Sequence, residues 1–124
     1  MRTIAVIEDD EPIGNLLEEA LQGEGYGVLR AYSGTEAQYL LAQHTPDLVL
    51  LDLMLPGRSG EELLPLLRGV PVIVVSAKAD IDAKVDALLG GAADYVTKPF
   101  ALRELLARPK DMLYTIVMPK PTYL

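Results

Sequence analysis

The chain has no cysteine among its 124 residues. That excludes a disulfide framework and a thiolate metal centre, and it fits a reducing compartment, so the expected location is cytoplasmic. No apolar stretch approaches the roughly 20 residues of a membrane span, although half of the residues are hydrophobic. The opening Met1-Arg2-Thr3-Ile4 already begins a strand pattern, and no signal peptide is expected. Positive charge is scarce: 11 Lys and Arg stand against 18 Asp and Glu, a net charge of −7. A phosphate backbone needs a basic patch, so this domain alone is not expected to bind nucleic acid. The acidity suits a cation or a basic partner. There are no internal repeats and no low-complexity segment. The one histidine, His44, reads as a residue at a helix end and not as a phosphohistidine.

What is present is a regular alternation of strand and helix signals over a length that suits one domain. Thr3–Ile7 is a short apolar run ending in Glu8-Asp9-Asp10-Glu11. Pro12 suits a first helical turn, and Ile13, Leu16, Leu17, Ala20 and Leu21 recur at helical spacing until Gly23 and Gly25. Residues 26–31 read as a second strand. Ser33 can cap a helix over 35–43, with Glu36 at the capping-box position. A third strand covers 49–52, and a short helix over 60–67 contains an awkward Pro65. Val72–Ser76 is a fourth strand, and Asp80 caps a helix over Ile81–Leu89 that closes at Gly90-Gly91. Asp94–Thr97 is a fifth strand, Lys98-Pro99 a break, and 101–107 a last helix that Pro109 is expected to end or kink. Five strands, each followed by a helix, predict parallel pairing with right-handed crossovers and helices on both faces.

Asp52 ends the unbroken apolar run Leu48-Val49-Leu50-Leu51, which reads as a strand buried on both faces. Open α/β sheets place ligand sites at the carboxyl ends of such strands. On a parallel sheet those ends share one edge, so Glu8, Asp9, Asp10, Asp52, Ser76 and Lys98 are expected to meet in one pocket. Two carboxylates about 4 Å apart repel by about 4 kcal/mol at an effective dielectric of 20, and a cation relieves that. Mg²⁺ suits, because it accepts one or two carboxylates plus phosphate oxygens and keeps several waters. Lys98 would offer an ammonium, and Ser76 a hydroxyl, to phosphate oxygens left free by the metal. Each residue alone has a plainer reading. A lone Asp after a strand is usually a turn or cap, and residues 8–11 could simply be an acidic helix start. Lys98 could be a solvated loop lysine, and Ser76 an ordinary cap. Their joint occurrence at strand ends points to phosphoryl chemistry.

The stretches Val6-Ile7-Glu8-Asp9-Asp10-Glu11-Pro12-Ile13 and Pro46-Asp47-Leu48-Val49-Leu50-Leu51-Asp52-Leu53-Met54-Leu55-Pro56-Gly57, with residues 71–77 and 91–100, resemble the receiver domains of two-component response regulators. The resemblance covers about residues 1–108 and is strongest to the subfamily joined to winged-helix DNA-binding domains. It implies a flavodoxin-like (βα)5 doubly wound sheet of strand order 2-1-3-4-5, with Asp52 as phosphoacceptor. It implies Mg²⁺, with Mn²⁺ able to substitute, held by Asp9, Asp52, the Met54 carbonyl and, through water, Glu8. Ser76, Ala77 and Lys98 would bind phosphate, Ser76 and Tyr95 would form a switch pair, and Lys98 would precede a cis Pro99. The phosphoryl donor would be a sensor histidine kinase, and the output transcription. DNA would be reached only through an effector domain absent from this chain, and no membrane partner is implied.

In that subfamily the face of the fourth helix, fifth strand and fifth helix pairs charges across a homodimer, and the residues here are Lys84, Asp94, Glu104 and Arg108. Lys84 and Glu104 match one pair. Ala93 stands where an acid is usual, which is expected to leave Arg108 without its partner. The expected division is a receiver domain over 1–108 and an atypical tail over 109–124. Within that tail, apolar residues 113–118 either pair with exposed sheet edges or extend the last helix onto the core. Three other functions are weighed. A flavodoxin-type electron carrier would offer hydroxyls and amides in its first loop, where this chain offers four acids. A haloacid-dehalogenase-like phosphatase would carry an acid two residues after Asp52, where this chain has Met54. A stand-alone or pseudo-receiver interaction module would not need the acids, Asp52 and Lys98 together. No enzyme in the ordinary sense is expected, only self-phosphorylation and its reversal.

Overall fold

Five strands alternate with five α-helices in the computed structural model, which describes residues 1–117, with side chains through Leu113. In chain order these are β1 (Thr3–Ile7), α1 (Glu11–Gly23), β2 (Gly27–Ala31), α2 (Gly34–Gln43), β3 (Leu48–Leu51), α3 (Gly60–Leu63), β4 (Val72–Ser76), α4 (Ile81–Leu89), β5 (Asp94–Thr97) and α5 (Leu102–Val117). The sheet is parallel throughout and runs β2-β1-β3-β4-β5, the expected flavodoxin-like order. Ile7 lies opposite both Ala31 and Leu51, and Leu51 lies opposite Val74. The strand ends that carry the candidate site are therefore level with one another.

The central strands are continuous apolar runs because helices cover both of their faces. Ala5, Ile7, Val49, Leu51 and Val74 pack with Ala37, Leu63, Leu67 and Ala87, from α2, α4 and the α3 region. Their alternate neighbours Ile4, Val6, Leu48, Leu50 and Ile73 pack with Leu17, Leu21, Leu105 and Leu113 from α1 and α5. Period-two alternation sends successive residues of each strand into these two cores.

Three local expectations are corrected. The helix read over 60–67 is α3 followed by a 3₁₀ turn over Leu64–Leu67, whose first turn accommodates Pro65. Ser33 caps α2 as expected, accepting from the Glu36 amide at 3.0 Å, but the Glu36 carboxylate accepts from Tyr32 N at 3.3 Å and not from the cap residue. A full capping box forms instead at Ser59 and Glu62. The last helix does not stop at Pro109 but runs to Val117. Proline interrupts a helix because it lacks an N–H and crowds the preceding turn, at a cost of about 3 kcal/mol. Here Leu105, Pro109 and Leu113 recur every four residues and are all buried, so tertiary packing overrides local preference. Of the two readings of the segment over 113–118, Leu113 follows the second: it lies in the α1–α5 core with Met112 packed beside it. The remainder of that segment, beyond Leu113, lies outside the residues whose side chains are described.

Two glycines lash down the segment after β3. Gly34, at the start of α2, donates to the Pro56 carbonyl at 3.0 Å, and a Cβ there would lie 1.7 Å from the Arg58 carbonyl oxygen. Gly60 donates to the Leu53 carbonyl at 3.0 Å, and a Cβ there would lie 2.4 Å from the Asp52 carbonyl oxygen. Backbone cannot yield as a flexible side chain can. Gly34→Ala is therefore expected to lower stability by about 1–3 kcal/mol, the usual cost of overpacking. Urea unfolding measures it, and an unchanged midpoint would refute the close approach.

Candidate functional site

The hydrogen-bond ladders continue one residue past the strands and so seat the polar residues on the main chain. Glu8 N donates to the Ala31 carbonyl and Asp52 N to the Ile7 carbonyl, each at 3.0 Å, while Lys98 N donates to the Ser76 carbonyl at 2.8 Å. The Lys98 side chain reaches across the sheet edge. Its ammonium lies 2.6 Å from Glu8 Oε1 and 3.0 Å from Asp52 Oδ2. The other Asp52 oxygen, Oδ1, accepts from Met54 N at 3.1 Å, and Glu8 Oε2 accepts from Asp10 N at 3.2 Å. Asp9 is exposed, yet carboxylate oxygens of Glu8, Asp9 and Asp52 all lie within 4.8 Å of one another. Asp10 does a different job: its Oδ1 accepts from Ile13 N at 3.0 Å and caps α1.

Burial pushes the Glu8 carboxyl up to about 7 against the pull of Lys98, and the neighbouring Asp52 adds to the rise. Burial also works against the Lys98 charge, but Glu8 and Asp52 outweigh it and hold its pKa above that of an ordinary lysine. Three carboxylates face one ammonium, so negative charge remains in excess. An all-oxygen donor set with that excess fits a hard divalent cation such as Mg²⁺. Asp9, which Lys98 does not touch, is the most open of the three.

Ser76 is fully buried at the end of β4, its Oγ accepting from Lys78 N at 3.3 Å, and Ala77 beside it is exposed. Tyr95 lies opposite Val74, with its ring buried and its hydroxyl donating to the Lys78 carbonyl at 2.6 Å. Burial raises the pKa of that hydroxyl. The Lys98–Pro99 peptide is cis. Arg108 pairs within its own chain with Asp94 and, at 3.1 Å, with Glu104. The packing of α5 over β5 brings Asp94 under the guanidinium. Lys84 and Glu104 line one groove with Arg108.

Sequence reasoning missed Arg30. Its side chain is largely buried, donating from Nη1 to Asn15 at 3.0 Å and to Glu18 at 2.8 Å. It fits because Gly14 leaves room, since a Cβ there would lie 2.2 Å from Nη2. Arg30 thus ties α1 to β2, next to the Ala31 carbonyl that holds Glu8. No local signal marks it, because its partners are 12 and 15 residues away.

A profile of the response regulator receiver domain matches residues 4–110. The chain belongs to this family. Solved receivers agree with it closely. The receiver domain of the Francisella response regulator 1452 is 31% identical with a TM-score of 0.87, over 94% of this chain and 99% of that one. A response regulator from Chloroflexus aurantiacus is 37% identical with a TM-score of 0.83, over 90% and 97% of the two chains. The BeF3-activated N-terminal receiver domain of Klebsiella pneumoniae RstA is 34% identical with a TM-score of 0.84, over 90% and 98%. Phosphorylation and Mg²⁺ binding at an acidic cluster are general to receivers, as is interaction with histidine kinases, and Glu8, Asp9 and Asp52 form such a cluster here. Receivers are signalling modules whose chemistry is their own phosphorylation. No helix among the described residues is long and apolar enough to cross a membrane.

Proposed function

We propose that Asp52 accepts a phosphoryl group from a histidine kinase or a small acyl phosphate, and that the resulting change controls an output such as transcription. The observation that carries this reading is the Asp52 carboxylate, buried at a central strand end between the Met54 amide and the Lys98 ammonium. In the step, an Asp52 oxygen attacks phosphorus, the bond from phosphorus to the donor breaks, and the donor leaves with that electron pair. Glu8, Asp9, Asp52 and the Met54 carbonyl are the groups that would hold Mg²⁺. When bound, the metal supplies positive charge to the phosphoryl oxygens. Lys98, Ser76 and the Ala77 amide offer donors to oxygens that the metal leaves free.

The same reading makes Ser76 and Tyr95 the switch pair. The Tyr95 ring is already buried beneath Lys78. Phosphate then acts mainly by drawing the Ser76 hydroxyl from Lys78 N, and it shifts the equilibrium only by its differential contacts in the two states. Lys84, Asp94, Glu104 and Arg108 are the charges available on the α4-β5-α5 face for a homodimer. A cytoplasmic location belongs to the same reading. Acetyl phosphate labelling that requires Mg²⁺ tests it, and equal labelling in EDTA would overturn it.

The metal has its own signature. Millimolar Mg²⁺ is expected to raise the melting temperature, because a ligand at about 100 times its Kd adds about 2.7 kcal/mol to the native state. Asp9→Asn is expected to abolish most of that rise while leaving the metal-free protein as stable or more so, since one repelling carboxylate is gone. Calorimetry with and without Mg²⁺ decides. A melt of folded protein that ignores Mg²⁺ would count against the site.

A further inference from the structure

A cleft of about 530 Å³ opens between the α3 region and α4. Its floor is apolar and small-featured, made by Leu64, Pro65, Ala83 and Ala87. Glu61, Asp80, Asp82 and Asp86 line it with carboxylates, against one cation, Lys78. The Lys78 ammonium lies 2.9 Å from Glu61 Oε1, so the cleft already binds a lysine head group, its own. Burial works to raise the Glu61 carboxyl, but Lys78 outweighs it and keeps the group below its ordinary value. Asp80 spends an oxygen on capping α4, accepting from Ala83 N at 3.1 Å. Asp82 and Asp86 are exposed and form no ion pair among the described residues.

We propose that this cleft docks a basic amphipathic segment of a partner protein, with an apolar side chain on the Leu64–Ala87 floor and Lys or Arg head groups on Asp82, on Asp86 and, in competition with Lys78, on Glu61. The chemistry discriminates among occupants. A single metal ion needs converging carboxylates, and among the described residues only Glu8, Asp9 and Asp52 converge in that way. Spread carboxylates over an apolar floor match charges carried on separate side chains. Nucleic acid and anionic lipid are repelled, and a second copy would bring a net charge of −7 to an acidic cleft.

The cleft is also joined to the switch. The Lys78 amide donates to Ser76 Oγ, and the Lys78 carbonyl accepts from the Tyr95 hydroxyl. A partner ammonium that competes for Glu61 releases the Lys78 side chain and perturbs the residue that both switch groups hold. On the phosphorylation reading above, docking and the phosphorylated state are coupled, and the coupling is reciprocal.

The probe is a fluorescein-labelled helical peptide of leucine and lysine, about three turns long, titrated near physiological ionic strength, where distant charges are largely screened. Binding is expected to shift the amide resonances of Leu64, Lys78, Ala83 and Ala87. Asp82→Asn with Asp86→Asn is expected to weaken it by about tenfold or more. Glu19→Gln with Glu24→Gln, which removes the same charge from exposed positions by α1, is expected to stay within about twofold. Lys78→Met removes the internal competitor and is expected to tighten binding by severalfold. Equal weakening by the two double variants would reduce the effect to diffuse electrostatics and overturn the site. Shifts confined to Ile81, Val85 and Leu88 would place docking on the other face of α4, and a self-dimer dissolved by the peptide would make the occupant a second copy; either result overturns the proposal. Beryllofluoride should change the peptide affinity by severalfold. An unchanged affinity in protein whose Asp52 and Ser76 resonances have moved would overturn the link, whereas failure of those resonances to move would count against Asp52 as the acceptor.

Discussion

Asp52→Asn is expected to lower phosphoryl incorporation from acetyl phosphate in Mg²⁺ by at least about a hundredfold, because an amide oxygen is not an activated nucleophile. The substitution is nearly isosteric. An Asn oxygen can still accept from Met54 N, and Lys98 keeps its 2.6 Å contact with Glu8. The fold is therefore expected to survive with a stability change of about 1 kcal/mol or less, so lost labelling reports chemistry and not unfolding. Other carboxylates are poorly placed to substitute. Glu8 is engaged by Lys98, Asp10 caps α1, and Asp9 stands exposed with no ion pair to a fixed cation among the described residues. The readout is acid-labile, hydroxylamine-sensitive label, with circular dichroism as the folding control. Full labelling of folded Asp52→Asn protein would falsify the assignment.

The features of this site that were legible in the sequence are those that local pattern dictates. An apolar run as short and unbroken as Leu48–Leu51 has no exposed face, so it belongs in mid-sheet and delivers the next residue, Asp52, to the sheet edge. The same logic brought Glu8, Ser76 and Lys98 to that edge, and Ser33 and Asp80 declared their helices by cap chemistry. What stayed hidden is what distant segments decide together. Nothing near Lys98 in the chain says that Glu8 holds it more closely than Asp52 does. The guanidinium of Arg108 finds Asp94 only after α5 packs over β5, and Arg30 finds its pocket only because Gly14 lies opposite. Gly60 reads only as a helix start and Gly34 only as the residue before the helix over 35–43, whereas their bare Cα atoms admit the backbone that follows Asp52. Asp10 is expected in the pocket with Glu8 and Asp9, yet it caps α1, because adjacency in sequence cannot separate a pocket acid from a cap.

Pro109 is the sharpest instance of tertiary context overruling a local rule, and truncation after Arg108 tests it. That cut removes buried Pro109 and Leu113 together with half-buried Met112, and Leu113 and Met112 belong to the core on the α1 side of the sheet. Replacing one fully packed leucine by alanine costs about 2–5 kcal/mol. Loss of the whole segment is therefore expected to cost at least about 3–5 kcal/mol, a large share of the 5–15 kcal/mol typical of a domain. Leu113→Ala should reproduce much of this loss in the full-length chain, with the ordinary charges and the Arg108–Asp94 pair in place. The alternative, in which the tail is an adhesive segment without a place in the core, predicts the reverse pattern. It requires lost association in sedimentation with an unchanged unfolding midpoint. Guanidinium unfolding and sedimentation of the full-length, truncated and Leu113→Ala proteins separate the two. An unshifted midpoint in the truncated chain would remove α5 beyond Arg108 from the core, while a collapse in midpoint with no change in mass makes the proline-containing helix an integral wall of the receiver.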